Sequence, residues 1–143
     1  MVGADDLPDS REAVFKSEYA KQVILYVRER YRDELQFLWA KFSKNAVFRR
    51  KDNQKWYAAM LVLEKSKLGA ASKDIVDIIN LRVPQEDIDD LLDGIRYFPG
   101  FHMNKDNWIT ICLDGSVPAE EIFDRIDESY YLTALQNCQK KRH

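Results

Sequence analysis

The stretch NAVFRRKDNQKWYAAMLVL, residues 45–63, constrains the fold more than any other part of the chain. Two β-prone runs flank Lys51-Asp52-Asn53-Gln54, and Asp and Asn side chains bond their own backbone readily enough to reverse a chain. The pattern predicts an antiparallel hairpin. Its second strand, Trp56 to Leu63, is apolar almost without interruption, as expected of a strand covered on both faces. A chain that holds such a hairpin must find layers to cover it.

The flanking sequence supplies them. Ser17 is a good N-cap for a helix from about Glu18 to Tyr31, in which Tyr19, Ala20, Val23, Ile24, Val27 and Tyr31 make one apolar stripe. After a loop broken by Gly69, IVDIINLRV (75–83) reads as a third strand. Pro84 then suits the first turn of a helix over 85–94, with Ile88, Leu91, Leu92 and Ile95 on one face. WITICL (108–113) alternates Ile109, Ile111 and Leu113 against Trp108, Thr110 and Cys112, as a strand does. Asp114-Gly115 turns the chain into a last helical region carrying Ile122, Ile126 and Tyr130, and Asp127-Glu128-Ser129-Tyr130 reads as a junction between two helices. The order predicts an α+β fold: a two-layer sandwich, with an antiparallel-dominated sheet and helices packed on one face.

At 143 residues the chain suits one domain. Residues 1–16 read as a flexible N-terminal arm and 17–143 as a single domain. No apolar run nears the roughly 18 residues of a membrane span, and the polar start lacks the apolar segment of a signal peptide. The two cysteines, Cys112 and Cys138, make neither a disulfide framework nor a CxxC pair. A reduced, cytoplasmic, monomeric protein is expected. The net charge of −2 hides an asymmetry: residues 41–73 sum to +7 and residues 74–131 to −10.

Three segments together resemble a known family: AVFRRKDNQKWYA, VDIINLRVPQEDI and FPGFHMNKDNWITICLDGSVPAEEIFDRIDESYYLT. The pattern is similar to that of the MmcQ/YjbR family of small bacterial proteins, from about Lys21 to Thr133. Its most telling parts are His102 to Trp108, Asp114 to Pro118 and Asp127 to Tyr130. The resemblance implies a CyaY-like fold and a double-wing DNA-binding motif, and it brings no catalytic residues. One departure is local: Val83 precedes Pro84, where relatives usually have a small polar residue able to cap.

The candidate sites follow from residue chemistry. Arg49, Arg50, Lys51 and Lys55 surround the hairpin turn and could neutralise phosphates of double-stranded DNA, with weak, salt-sensitive binding. The other reading is a charged strand edge kept soluble and unpaired. His102, Asn104 and Lys105 offer hydrogen bonds beside Phe101 and Trp108, a mixture that suits bases or a planar ligand. The same residues also suit an ordinary turn anchored by its aromatics. Glu86, Asp89, Asp90 and Asp93 fall on one helical face, which invites comparison with frataxin-type iron handling, although any amphipathic helix puts its charges there. No cofactor is implied. An enzyme is not expected, because no phosphate loop, zinc-ligand spacing or nucleophile elbow is present and Cys112 sits in an apolar strand. The leading expectation is a binding module for nucleic acid. Its alternative is a protein- or metal-binding adapter using the acidic helix and the 102–108 loop.

Overall fold

The computed structural model describes residues 10–142. Five strands form one antiparallel sheet: β1 (Asn45–Arg49), β2 (Trp56–Glu64), β3 (Ile75–Arg82), β4 (Phe98–Pro99) and β5 (Trp108–Cys112), in the order β1-β2-β3-β5-β4. Helices α1 (Glu18–Tyr31) and α3 (Ala119–Arg142) pack against one face, and α2 (Ile88–Leu91) is a single turn after a 3-10 segment, Gln85–Asp87. This is the α+β architecture expected from the sequence. The main core lies between helices and sheet, where Val23, Val27, Ile122 and Ile126 meet Met60, Ile79, Leu81 and Ile109.

Helix α1 begins as its sequence dictates. The Ser17 hydroxyl accepts a bond from the Ala20 N–H at 2.9 Å, while the Ser17 N–H donates to Asp77 on β3 at 2.8 Å. The cap therefore also docks the helix on the sheet. The helix stops at Arg32, which takes a left-handed backbone (φ 58°) and returns its N–H to the Arg28 carbonyl.

The hairpin carries an irregularity that proves central. Its register slips between Phe48 and Arg49: Arg49 pairs with Trp56 and Phe48 with Ala58. Tyr57 is left over as a β-bulge, with no partner in either neighbouring ladder. Both Tyr57 and Ala58 are buried in the same core, which a strict two-residue alternation forbids. The bulge turns Tyr57 inward so that its hydroxyl donates to Asp33 at 2.5 Å. Burial and that carboxylate both push the Tyr57 phenol far up.

Four local expectations are corrected. Residues 1–9 of the expected arm lie outside the described residues, but Ser10–Val14 forms a 3-10 turn and Phe15 is buried in the core, so the ordered domain starts before residue 17. The helix expected over 85–94 ends at Leu91, because the Asp93 carboxylate instead accepts three N–H bonds, from Ile95, Arg96 and Tyr97. Ile95, expected on the buried face, is exposed. No side chain caps the segment after Pro84, as the Val83 departure suggests; Val83 is buried instead. Finally, Asp127–Tyr130 is no junction. Helix α3 runs straight through it, and Ser129 is fully buried there.

Ser129 supplies what the bulge and the strand end lack. Its hydroxyl donates to the Tyr57 carbonyl at 2.5 Å and accepts the Arg82 N–H at 2.9 Å. One side chain of α3 thus closes two buried backbone groups on β2 and β3.

The edges of the sheet are also specific. Gln36, in the connector before β1, pairs with Val47 through both backbone bonds, a contact that the sequence did not suggest. At the opposite edge, β4 was not anticipated either and is two residues long, the second of them Pro99.

Candidate functional site

The face of the sheet away from the helices holds a second, smaller core of Leu63, Val76, Ile78, Phe98 and Cys112, with Leu61 and Phe101 packed on it. The segment 100–107 folds over part of this face and is held by a polar ladder. Asn80 on β3 accepts the Thr110 hydroxyl and donates to the Phe101 carbonyl at 3.0 Å, and the Thr110 oxygen accepts the Phe101 N–H at 2.9 Å. Gly100 lets the loop lie close: a Cβ there would stand 2.7 Å from the Trp108 Cβ. Lys105 closes the loop by donating to the Gly100 carbonyl at 2.6 Å.

Between this loop and the connector before β1 runs a groove of about 580 Å³. It is lined by Trp39 and Phe42 from the connector, by Phe101, His102 and Met103 from the loop, and by Ala59, Leu61 and Asn80 from the sheet. Trp39 meets Trp56 edge to face, with ring centroids 5.6 Å apart. His102 has a left-handed backbone (φ 59°), and its ring stacks on Phe101 at 3.9 Å and 19°. Strained backbone of this kind persists only where the surroundings enforce it. Lys67 and Asn45 add polar groups to the lining. Nine of the fourteen lining residues belong to the basic segment 41–73. A wider hollow, about 830 Å³, lies beside residues 13–17, but no aromatic ring lines it, and its Asp77 and Asp114 are already bonded to Ser17 and Lys65.

The expected phosphate-binding set is only partly available. Arg50 is buried: it forks onto Asp52, donates to the Tyr130 carbonyl at 2.8 Å and lies 4.0 Å over the Tyr130 ring. As a phosphate contact Arg50 is therefore corrected; it ties the hairpin to α3. Lys51 donates to the Tyr31 and Arg32 carbonyls and pairs with Asp33, so it neutralises the negative end of α1. Arg49 donates to the Gln36 side chain at 2.6 Å, and Lys55 is half-buried. The four cations do not form one open cluster.

The loop residues divide similarly. Trp108 is buried, with the Arg82 guanidinium 4.6 Å over its ring, so it is no stacking platform. Asn104 accepts the Asp106 N–H and is an ordinary turn residue. Of the expected loop residues, His102 and its neighbour Phe101 line the groove. Trp39, Phe42 and Trp56 were missed, because they are far apart in sequence and sit in a connector and a strand; their only signal was their cost as aromatics.

The acidic set does not assemble. Glu86, Asp89 and Asp90 point outward from a short helical segment, and Asp93 is committed to its three amides, which hold its carboxyl down at about 2. Among the described residues, no group of three or more His, Cys, Asp or Glu could hold a metal ion. Burial, with some help from Asp114, pushes the Cys112 thiol up to about 11, far from an activated nucleophile. No helix among the described residues is long and apolar enough to cross a membrane.

Comparison with known proteins agrees with the fold. A family model described as YjbR matches residues 28–132. The uncharacterized protein YyaQ of Bacillus subtilis (strain 168) is 35% identical over 124 residues, covering 87% of this chain and 98% of YyaQ. A crystal structure of a Pseudomonas syringae protein, structural genomics target PsR293, superposes with a TM-score of 0.76 at 38% identity, covering 79% of this chain and 97% of that one. Deinococcus radiodurans protein DR2400, with a TM-score of 0.58 at 24% identity over 77% of this chain and 74% of that one, shares the fold. The matched region contains every strand and the groove between them, and the chain belongs to the YjbR family.

Proposed function

We propose that the protein is a non-enzymatic binding module for nucleic acid, with DNA the ligand that the family resemblance suggests, and that the helix-free face of the sheet is its contact surface. One observation carries the reading: aromatic rings line the groove beside Lys67, its one lysine or arginine, and nine of the fourteen lining residues come from the segment 41–73, of net charge +7. Polyanions are drawn to such a surface, and aromatic rings beside cations give bases a place to stack. Exposed Lys41, Lys44 and Lys67 belong to the same segment. The hairpins β1–β2 and β4–β5 stand at opposite edges of the sheet, an outline compatible with a double wing. The raised Cys112 thiol gives a nucleophilic mechanism no support. In the adapter reading the carboxylates of the acidic helix do not assemble, while its other element, the 102–108 loop, contributes His102 and Met103 to this same groove.

The test is fluorescence anisotropy with dye-labelled oligonucleotides at low salt, on the wild type and on Lys67→Glu. Saturable binding that weakens with salt and with the charge reversal is expected. Absence of binding at low salt would overturn the proposal.

A further inference from the structure

We infer that the nucleic acid bound is unpaired: the groove takes splayed bases of a single strand rather than the outside of a duplex. This rests on the nucleic-acid reading and makes it specific. A duplex keeps its bases stacked inside and presents phosphate ridges, so rings lining a cleft gain nothing from it. Bases that are free of a partner strand stack on such rings whatever their sequence. The groove is lined by rings from two separate segments, Trp39 and Phe42 from the connector and Phe101 and His102 from the loop. The last two are already stacked on each other, their ring centroids 3.9 Å apart.

The cations point the same way. Gripping a duplex at the hairpin tip needs several outward-facing charges. Arg50 is buried against α3, Lys51 is bound to the end of α1, and Arg49 is held by Gln36. In the groove itself Lys67 is the single lysine or arginine among the lining residues. Contact with one or two phosphates of a single strand gives a slope of log K against log salt of about −0.7 to −1.4. A hairpin using all four cations on a duplex would give about −3.6. The stacking contribution dominates over charge in this arrangement.

The experiment uses the full chain with single-stranded and duplex oligonucleotides of one sequence, each as DNA and as RNA. Anisotropy gives affinity and salt slope, and quenching of tryptophan emission reports on Trp39 and Trp56. Phe42→Ala and His102→Gly remove rings at exposed positions, and glycine accepts the backbone of residue 102 without strain. Circular dichroism confirms that both variants fold. Expected are single-strand binding at least about tenfold tighter than duplex, a shallow salt slope, tryptophan quenching, and a loss of about fivefold or more in each variant. Duplex binding as tight as single-strand binding, or full affinity in both variants, overturns the inference and leaves the nucleic-acid reading intact. Failure of every oligonucleotide to bind overturns both.

Discussion

Replacing Ser129 by alanine removes one oxygen and orphans two backbone groups. The hydroxyl serves the Tyr57 carbonyl on the bulge and the Arg82 N–H, at a position with no solvent exposure that could let water substitute. An unsatisfied buried backbone group costs about 1–3 kcal/mol, so two of them cost about 2–4 kcal/mol after partial relaxation. Alanine returns roughly 0.5 kcal/mol as the better helix former, leaving a net loss of about 1.5–3.5 kcal/mol. Against a total stability of about 5–15 kcal/mol, that is a large fraction. Urea unfolding followed by circular dichroism measures it as a fall of about 1–2 M in midpoint at unchanged m value. Thr133→Ala is the control: its hydroxyl also donates to a carbonyl, that of Tyr130, but Arg50 bonds the same oxygen, so no acceptor is orphaned. Thr133→Ala should cost about 1 kcal/mol. Equal effects in the two variants, or a loss below about 0.5 kcal/mol for Ser129→Ala, would refute the claim that α3 completes the bulge.

Three further outcomes are expected. Gly100→Ala drives a Cβ to 2.7 Å from the Trp108 Cβ and 3.0 Å from its carbonyl oxygen, and should destabilise by about 1–3 kcal/mol in thermal unfolding read by tryptophan emission. The Asp93 carboxyl is lowered from 3.8 to about 2 by its three amides, so its contribution is complete above about pH 4 and lost as pH falls through 2; the gap in melting temperature between wild type and Asp93→Asn should narrow over that window. In a Cys138→Ser background, Cys112 should react with a thiol-exchange reagent at pH 8 only as fast as the protein opens, and at the rate of a free thiol in denaturant.

The elements legible in the sequence were those whose apolar period matches their geometry. Helix α1 announces itself by Ser17 and its stripe, and β5 by strict alternation. The illegible parts are places where one residue answers a need set by a distant one. Ser129 reads as a polar break in a helix, because nothing nearby shows the bulge at Tyr57 that it completes. Asp93 reads as one more carboxylate on a helix face, yet its own side chain ends that face by capturing the amides of the following turn. Arg50 and Lys51 read as a free basic tip; the fold brings Tyr130 and the end of α1 against them. The groove was half visible. His102 stood out as an unusual residue, while Trp39, Phe42 and Trp56 gain their meaning only when the sheet brings the connector opposite the loop.

The pairing of Gln36 with Val47 bears on behaviour at high concentration. An open strand edge is a template on which another copy can add a strand, and this is a common route to aggregation. Gln36 takes both the N–H and the carbonyl of Val47, at the middle of β1, and so interrupts the row of groups an incoming strand would need. The far edge is only two residues long and ends in a proline, which has no N–H to offer. Each end of the sheet thus carries a feature that opposes its extension from one molecule into the next.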